Sequence, residues 1–339
     1  MKKYLLYAAE SYAFSIMRPL QAEIRRRGHE VAWFLEKVSP HLLLPHEKQL
    51  KTVKEVLNFQ PRAVFVPGNW VPHFFPGVKV QIFHGFGIEK KGHFRIRGFF
   101  DLYCTHGPLT TRPFQELAAK HNHFHVAETG WPKMDDLFNV EETPDQGEQP
   151  IILFAPTFSP SLTAAPELLE TIKDIAARRN WKWLVKFHPK MDPEWVAAYE
   201  KSQSPNLEVI ADPDLNPLLR IAHVMVSDTS SAVAEFLLQD KPVVTFRNKE
   251  PGPHVLDLQE KEQLEDAVAH ALTRSDELMK GGRFFAEQMH PYRDGHSSAR
   301  VLDATEALIN GKMSPVGKKP LNLLRKFKVR RRVGYYRLF

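Results

Sequence analysis

Short apolar runs alternate with longer amphipathic segments along most of the chain. In the first half, KYLLYAA (3–9), HEVAWFL (29–35) and RAVFVPG (62–68) have the length and composition of buried strands. Between the first two, SIMRPLQAEIRRRG (15–28) has helical spacing and ends at Gly28. Because strands separated by helix-length segments form βαβ units, this alternation predicts a parallel sheet covered by helices.

A polar segment, NVEETPDQGEQP (139–150), interrupts the alternation. It contains Pro and Gly and has no apolar period, which is typical of a linker. The alternation restarts with PIILFAPTF (150–158) and continues to SARVLDATEALIN (298–310). We therefore predict two α/β domains of similar size with a cleft between them. Their bounds are 1–140 for the first domain, 141–150 for the linker, 151–311 for the second domain and 312–339 for a tail.

The composition is that of a globular protein. Of 339 residues, 43% are hydrophobic and 25% charged, so the chain can bury a core in each domain. The single cysteine, Cys104, excludes an intramolecular disulfide framework and favours a reducing cytoplasm; its apolar neighbours indicate a buried thiol. No apolar run approaches the ~20 residues of a membrane span.

Positive charge is concentrated at the C-terminus. Residues 314–339 contain nine Lys or Arg and no Asp or Glu, so the rest of the chain carries net negative charge. Basic residues interleaved with Leu, Phe, Val and Tyr suit an anionic membrane surface. A solvated end and a nucleic-acid interface are alternatives. The net negative charge of the rest of the chain and the lack of a recognisable nucleic-acid-binding motif argue against nucleic acid. The predicted membrane-surface cations are Arg325, Lys326, Lys328, Arg330, Arg331 and Arg332.

Polar residues able to bind a ligand follow four apolar runs. Ligands of parallel sheets bind at the carboxyl ends of strands, so the shared position is informative. Taken singly, these residues have ordinary explanations as helix caps or surface side chains. Three potential cations in VKFHPK suit phosphate, and hydroxyls before a helix suit an anion, which together suggest a nucleotide diphosphate. The four groups are His84 with Gly85 and Gly87, then Thr157, then Lys186, His188 and Lys190, and finally Asp228, Thr229, Ser230 and Ser231.

Other motifs are weaker. His121, His123 and His125 alternate as on one strand face; zinc is conceivable, but we favour an exposed strand because no carboxylate or cysteine is adjacent. The chain has neither a P-loop nor a dinucleotide fingerprint, which argues against NAD and Walker-type ATP. No convincing Asp-x-Asp loop is present. We therefore predict chemistry without a metal or organic cofactor.

Six short motifs occur in a recognisable order: FHGFGIEKKG (83–92), TGWPKMDDLF (129–138), FAPTF (154–158), FHPK (187–190), SDTSSAVAEF (227–236) and YRDGHSSARVLDAT (292–305). With these motifs the chain resembles the CDP-glycerol glycerophosphotransferase family, which includes teichoic-acid primases and polymerases. The resemblance implies a GT-B fold of two Rossmann-like domains facing a central cleft, with the nucleotide on the C-terminal domain. It also implies a cytoplasmic enzyme on the inner face of the membrane, transferring glycerol phosphate or another polyol phosphate from a CDP-linked donor to a lipid-linked or glycan hydroxyl.

The resemblance assigns roles by position. His84 is the expected general base, and His188 acts with it by binding the donor's phosphates. Departures from the family pattern, such as Phe86 in place of a small Thr and Thr229 in place of an aromatic, concern donor identity more than reaction class. The remaining donor-side residues are Thr157, Lys186, Lys190, Asp228, Thr229, Ser230, Ser231 and Glu235. The acceptor-side or cleft residues are Gly85, Gly87, Pro132, Lys133 and Asp135.

Two other functions are compatible with these residues. One is a GT-B glycosyltransferase that uses a nucleotide sugar in lipopolysaccharide or capsule synthesis, for which a carboxylate base is expected rather than a histidine. The other is a non-catalytic nucleotide- or polysaccharide-binding protein of a synthesis complex. Loss of function on changing His84 and His188 distinguishes an enzyme from a binder.

Overall fold

A computed structural model describes residues 1–86, 92–139, 149–212 and 214–336. The chain divides into two units, each with its own hydrophobic core. Unit 1 comprises Met1–Asn139 and Met289–Phe339, and unit 2 comprises Val140–Gln288. Most of the linker expected from sequence, residues 140–148, lies outside the described residues.

The strands of both units are short and largely buried. Along the described chain they are β1 (Lys3–Ala8), β2 (Glu30–Leu35), β3 (Ala63–Val66), β4 (Val78–Gln81), β5 (Leu102–Thr105), β6 (His125–Glu128), β7 (Ile151–Phe154), β8 (Lys182–Val185), β9 (Leu207–Val209), β10 (Val224–Ser227), β11 (Val243–Phe246) and β12 (Leu256–Leu258).

Helices follow most of these strands. They are α1 (Ala13–Arg26), α2 (Val53–Phe59), α3 (Pro108–His121), α4 (Asp135–Phe138), α5 (Ala165–Arg178), α6 (Pro193–Lys201), α7 (Asn216–Ile221), α8 (Ala232–Leu237), α9 (Leu264–Thr273), α10 (Asp276–Met289), α11 (Ser297–Ile309) and α12 (Leu323–Arg332). Short 3-10 turns occupy Pro40–Leu42, Pro132–Met134 and Lys261–Gln263. As expected, α1 is closed by Gly28, which has a φ of 71° that an L side chain rarely adopts.

Among the described residues, each unit contains one six-stranded parallel sheet. The strand order is β2-β1-β3-β4-β5-β6 in unit 1 and β12-β11-β10-β7-β8-β9 in unit 2. The order reverses between β1 and β3 in the first sheet and between β7 and β10 in the second, so each sheet has a switch point where its carboxyl ends open a crevice. The predicted α/β fold with two Rossmann-like sheets is therefore confirmed.

The end of the second unit differs from the sequence expectation, which gave residues 151–311 to one domain. The chain returns to unit 1 after α10, and α11 packs against α1. Tyr4 donates a hydrogen bond to Glu306 at 2.8 Å, and Lys2 pairs with the same carboxylate. The sequence could not show this return because an apolar helix face does not by itself specify which sheet it packs against.

The tail is also part of unit 1. Gly317 N–H donates to the carbonyl of Asn122 at 2.7 Å, and Lys319 pairs with Asp101 at 2.6 Å. Further along, a Cβ on Gly98 would lie 2.5 Å from Asn322, so glycine is needed where this segment crosses. We call residues 312–336 the C-terminal strap. In the described part of the chain, no helix combines the length and the apolar character needed to cross a bilayer.

Candidate functional site

His84 lies just beyond β4, at the carboxyl edge of the first sheet, and its side chain is exposed. The preceding residue, Phe83, is buried and has a φ of 59°, in the left-handed region that is unfavourable for a bulky residue. Its ring packs edge-on against Phe114 and His106. Because these contacts hold Phe83 in a strained conformation, the chain turns and His84 emerges from the sheet edge.

Tyr12 covers His84. It lies between β1 and α1, and its ring stacks on the imidazole with centroids 5.5 Å apart and planes inclined by 27°. Burial raises the pKa of the Tyr12 hydroxyl, with a further contribution from Glu10. The hydroxyl is therefore neutral at physiological pH. The loop after β1 thus contributes to the surroundings of His84.

The residues after His84 have different environments. Gly85 is partly exposed, whereas Gly87 lies outside the described residues. Phe86 is buried and makes edge-to-face contacts with Trp131 and His106, 4.9 and 5.1 Å between centroids. Burial lowers the pKa of His106 well below its usual value, so this ring is neutral. Phe86, which departs from the family pattern, therefore anchors the loop in an aromatic cluster.

The segment expected on the acceptor side is mainly structural. Pro132 is buried, and the Lys133 ammonium lies 5.3 Å from the centre of the Trp131 ring. Asp135 is buried, and its two carboxylate oxygens accept hydrogen bonds from the backbone N–H groups of Ser297 and Ser298, each at 2.7 Å. Burial raises the pKa of Asp135. Its observed role is to cap α11.

Asp228 plays a similar part at the switch point of the second sheet. It follows β10 and is fully buried; one carboxylate oxygen accepts the Thr157 N–H at 2.8 Å and the other the Ala164 N–H at 2.9 Å. Burial raises its pKa to about 6. Both oxygens are therefore used to hold the loop after β7, and Asp228 positions Thr157 instead of facing solvent.

His188 projects from the end of β8 next to this loop. Its ring stacks on Phe158 with centroids 4.4 Å apart, and its Nδ1 accepts the Lys190 N–H at 3.1 Å. Burial, and then the charges of Lys190 and Lys186, lower the pKa of His188. A neutral ring whose Nδ1 accepts a hydrogen bond carries its proton on Nε2. His188 is thus an oriented N–H donor that lies close enough to Lys186 and Lys190 for their charges to lower its pKa.

The hydroxyl-bearing residues after β10 are at least partly exposed. Thr229 Oγ1 accepts the Lys249 N–H at 3.1 Å, and Ser230 Oγ accepts the Ala232 N–H at 3.3 Å. Ser231 is exposed, whereas Glu235 is buried on α8. Because α8 has only six residues, its dipole contributes little. The cations expected at this edge of the sheet are therefore mainly Lys186 and Lys190, which follow β8.

The histidine series at 121–125 is not a strand face. His121 ends α3, His123 is buried and its Nδ1 approaches the His121 carbonyl, and His125 begins β6. Within the described residues, no group of three or more His, Cys, Asp or Glu side chains is arranged to hold a metal. Cys104 is buried, as expected, and burial raises the pKa of its thiol.

Three residues that contact the candidate site residues were not predicted from the sequence. Tyr12 and Phe158 each stack on a candidate histidine, and Lys249 donates its backbone N–H to Thr229. Phe158 stands within a motif quoted above and Tyr12 follows a strand end, which are the available signals. Neither aromatic contact is visible in sequence, since each joins loops from different strands.

The chain matches the model of a known protein family. The family described as CDP-glycerol:poly(glycerophosphate) glycerophosphotransferase matches residues 98–306, more than half of the chain. A search of curated protein sequences found no match.

Solved structures share the fold. The wall teichoic acid polymerase TagF aligns with a TM-score of 0.65 at 13% identity, covering 93% of this chain and 90% of that one. A TagF histidine variant soaked with CDPG aligns with a TM-score of 0.64 at 14% identity, covering 92% and 90%. A putative UDP-N-acetylglucosamine 2-epimerase from Listeria monocytogenes aligns with a TM-score of 0.66 at 15% identity, covering 95% and 100%.

Proposed function

Because the chain belongs to the CDP-glycerol:poly(glycerophosphate) glycerophosphotransferase family, we propose that it transfers glycerol phosphate from CDP-glycerol, or a related polyol phosphate, to a hydroxyl of a membrane-attached acceptor. The chain is an enzyme of the glycerophosphotransferase class, and we assign it a role in the synthesis of teichoic-acid-type polymers.

The observation that carries the proposal is the exposed His84 at the carboxyl edge of the first sheet. The acceptor hydroxyl loses its proton to His84 as its oxygen forms a bond with the phosphorus that bears glycerol. The bond from that phosphorus to the bridging oxygen breaks, and CMP leaves with the electron pair. An imidazole has a pKa suited to this proton transfer, which typically contributes ~10²–10⁴-fold to the rate.

The donor's phosphates bind at the switch point of the second sheet. His188 donates from Nε2, and Lys186 and Lys190 balance the negative charge that grows on CMP. Ser230 and Ser231 supply hydroxyls beside them, and Asp228 holds the loop that carries Thr157. These contacts support the assignment of the nucleotide to unit 2.

The acceptor is attached to a membrane, and the enzyme acts as a cytoplasmic protein bound peripherally to the inner face. Support comes from the exposed apolar side chains Leu321, Leu323, Leu324 and Phe327 in the basic strap. A membrane-bound acceptor concentrates in two dimensions, so an enzyme held at the same surface meets it more often.

The test is CMP release from CDP-glycerol with a water-soluble, short-chain acceptor analogue. We expect release by the wild type, a loss of ~10²–10⁴-fold in kcat for His84→Ala, and wild-type turnover for His41→Ala, a matched exposed histidine in the same unit.

Two results would overturn the proposal. If His84→Ala released CMP as fast as the wild type, His84 would not be the general base. Release from a nucleotide sugar, with none from CDP-glycerol or other CDP-polyols, would replace phosphotransfer by glycosyl transfer.

A further inference from the structure

The helix of the C-terminal strap, α12, has two faces with different environments. Val329 is buried in the core of unit 1, and Arg332 Nε donates to the buried carboxylate of Glu36 at 2.6 Å. Arg325 donates to the Arg97 carbonyl at 3.2 Å. These residues are spaced by three, four and seven positions, which places them on one side of the helix. This side fixes α12 to unit 1.

The opposite side of α12 is exposed and apolar at its N-terminal end. Leu323 is 70% exposed, Leu324 81% and Phe327 59%. Lys328 and Arg331 are exposed on the same side, toward the C-terminal end. We call Leu323, Leu324, Phe327, Lys328 and Arg331 the outward face. Such a large unpartnered apolar surface on a short helix is unusual in a soluble domain.

From this arrangement we propose that the outward face of α12 inserts into an anionic membrane surface, with its three apolar side chains at the acyl boundary and its two cations among the headgroups. The charge pattern argues for this occupant: the outward face contains no acidic residue, and residues 314–339 contain none. An anionic bilayer complements this combination of apolar and basic side chains.

The proposal revises which cations meet the membrane. Of the six expected from sequence, Arg325 and Arg332 are engaged with unit 1, and the Arg330 guanidinium lies 4.7 Å from the centre of the Phe74 ring. Because α12 is fixed to the unit that carries His84, the helix holds that unit in a defined orientation on the bilayer. In this respect the inference rests on the proposed function, which requires a membrane-attached acceptor.

The experiment measures partitioning of the full chain onto phosphatidylglycerol vesicles and onto neutral phosphatidylcholine vesicles by sedimentation. We expect the wild type to prefer the anionic vesicles and Leu324→Ser with Phe327→Ser to lose about tenfold or more in partition coefficient. Lys328→Gln and Arg331→Gln each lose about fivefold, on anionic vesicles only. Added salt weakens the wild-type preference.

The matched control is Phe284→Ser, which removes an aromatic of similar exposure, 63%, from α10 in unit 2. It keeps wild-type partitioning, and because all the substituted side chains are exposed, every variant keeps the wild-type unfolding midpoint. Turnover of a water-soluble acceptor is measured in parallel. Absent turnover with intact vesicle binding counts against the proposed function alone.

Vesicle binding that is unchanged by the outward-face substitutions would overturn the inference. So would a wild type that forms a dimer in solution, does not bind vesicles, and becomes monomeric on Leu324→Ser with Phe327→Ser, because a second copy would then be the occupant. The insertion would also be contradicted if Lys328→Gln alone abolished binding to anionic vesicles while the apolar substitutions had no effect. The outward face would then bind the membrane by charge only.

Discussion

Tyr12 stacks on His84 with ring centroids 5.5 Å apart, which joins the loop after the first strand to the end of the fourth. The two strands lie on either side of β3 in the sheet. A ring resting on the imidazole restricts its rotation, and the direction of its nitrogens decides whether they meet an acceptor hydroxyl.

Removing the ring of Tyr12 is therefore expected to slow transfer. Aromatic contacts are worth ~0.5–1.5 kcal/mol, so Tyr12→Ala should lower kcat by about 2- to 12-fold. Tyr12→Phe retains the stack and should have nearly wild-type kcat in the CMP-release assay. An equal loss in both variants would instead assign the effect to the hydroxyl.

The two histidines are expected to have separable effects. Hydrogen bonds to charged groups contribute ~1.5–3 kcal/mol, so His188→Ala should weaken CDP-glycerol binding by about 10- to 150-fold in calorimetry. His84→Ala should leave donor affinity near wild type while kcat falls. His188→Gln, which restores an N–H donor, should recover part of the affinity. The reverse order of the two alanine variants would exchange the assigned roles.

Asp228 should make stability depend on pH. Its folded pKa, about 6, lies above its ordinary value of 3.8, so the folded state binds the proton more tightly than the unfolded state. Its contribution is therefore full below pH ~4 and is lost as pH rises toward and through about 6, by up to ~3 kcal/mol.

Urea unfolding of wild type and Asp228→Asn from pH 4 to 7 measures this effect. The amide does not titrate, so the stability of the variant relative to wild type should improve as pH rises, although one of the two loop N–H groups loses its acceptor. A stability difference that stays constant across this range would contradict burial as the cause of the shift.

Asp135 is expected to matter for stability more than for catalysis. Asp135→Ala leaves the buried N–H groups of Ser297 and Ser298 without their acceptor, which should cost ~2–3 kcal/mol of unfolding free energy. Asp174→Ala, an exposed helical control, should change stability by less than ~0.5 kcal/mol.

The folded Asp135→Ala enzyme should keep wild-type kcat and KM for the soluble acceptor. A selective rise in acceptor KM, with unchanged unfolding, would return Asp135 to the acceptor side, where the family resemblance assigned it.

The sequence by itself determined the two sheets and the sheet edges at which the candidate residues lie. Parallel strands are buried on both faces, so they appear in the sequence as continuous apolar runs. The residues that follow the strands of one sheet lie at the carboxyl edge of that sheet. For this reason His84, Thr157, His188 and Asp228 could be found as candidates without coordinates.

Only the tertiary structure decided which residues touch one another. The contact of Tyr12 with His84, the capping of Ser297 by Asp135 and the return of α11 to unit 1 join distant segments whose local patterns fit several partners. The C-terminal strap shows the same limit: its composition indicated a basic surface, but the pairing of Arg332 with the buried Glu36 shows which side of the helix the protein uses. Composition shows which charged residues are present, whereas packing determines which of them face the solvent.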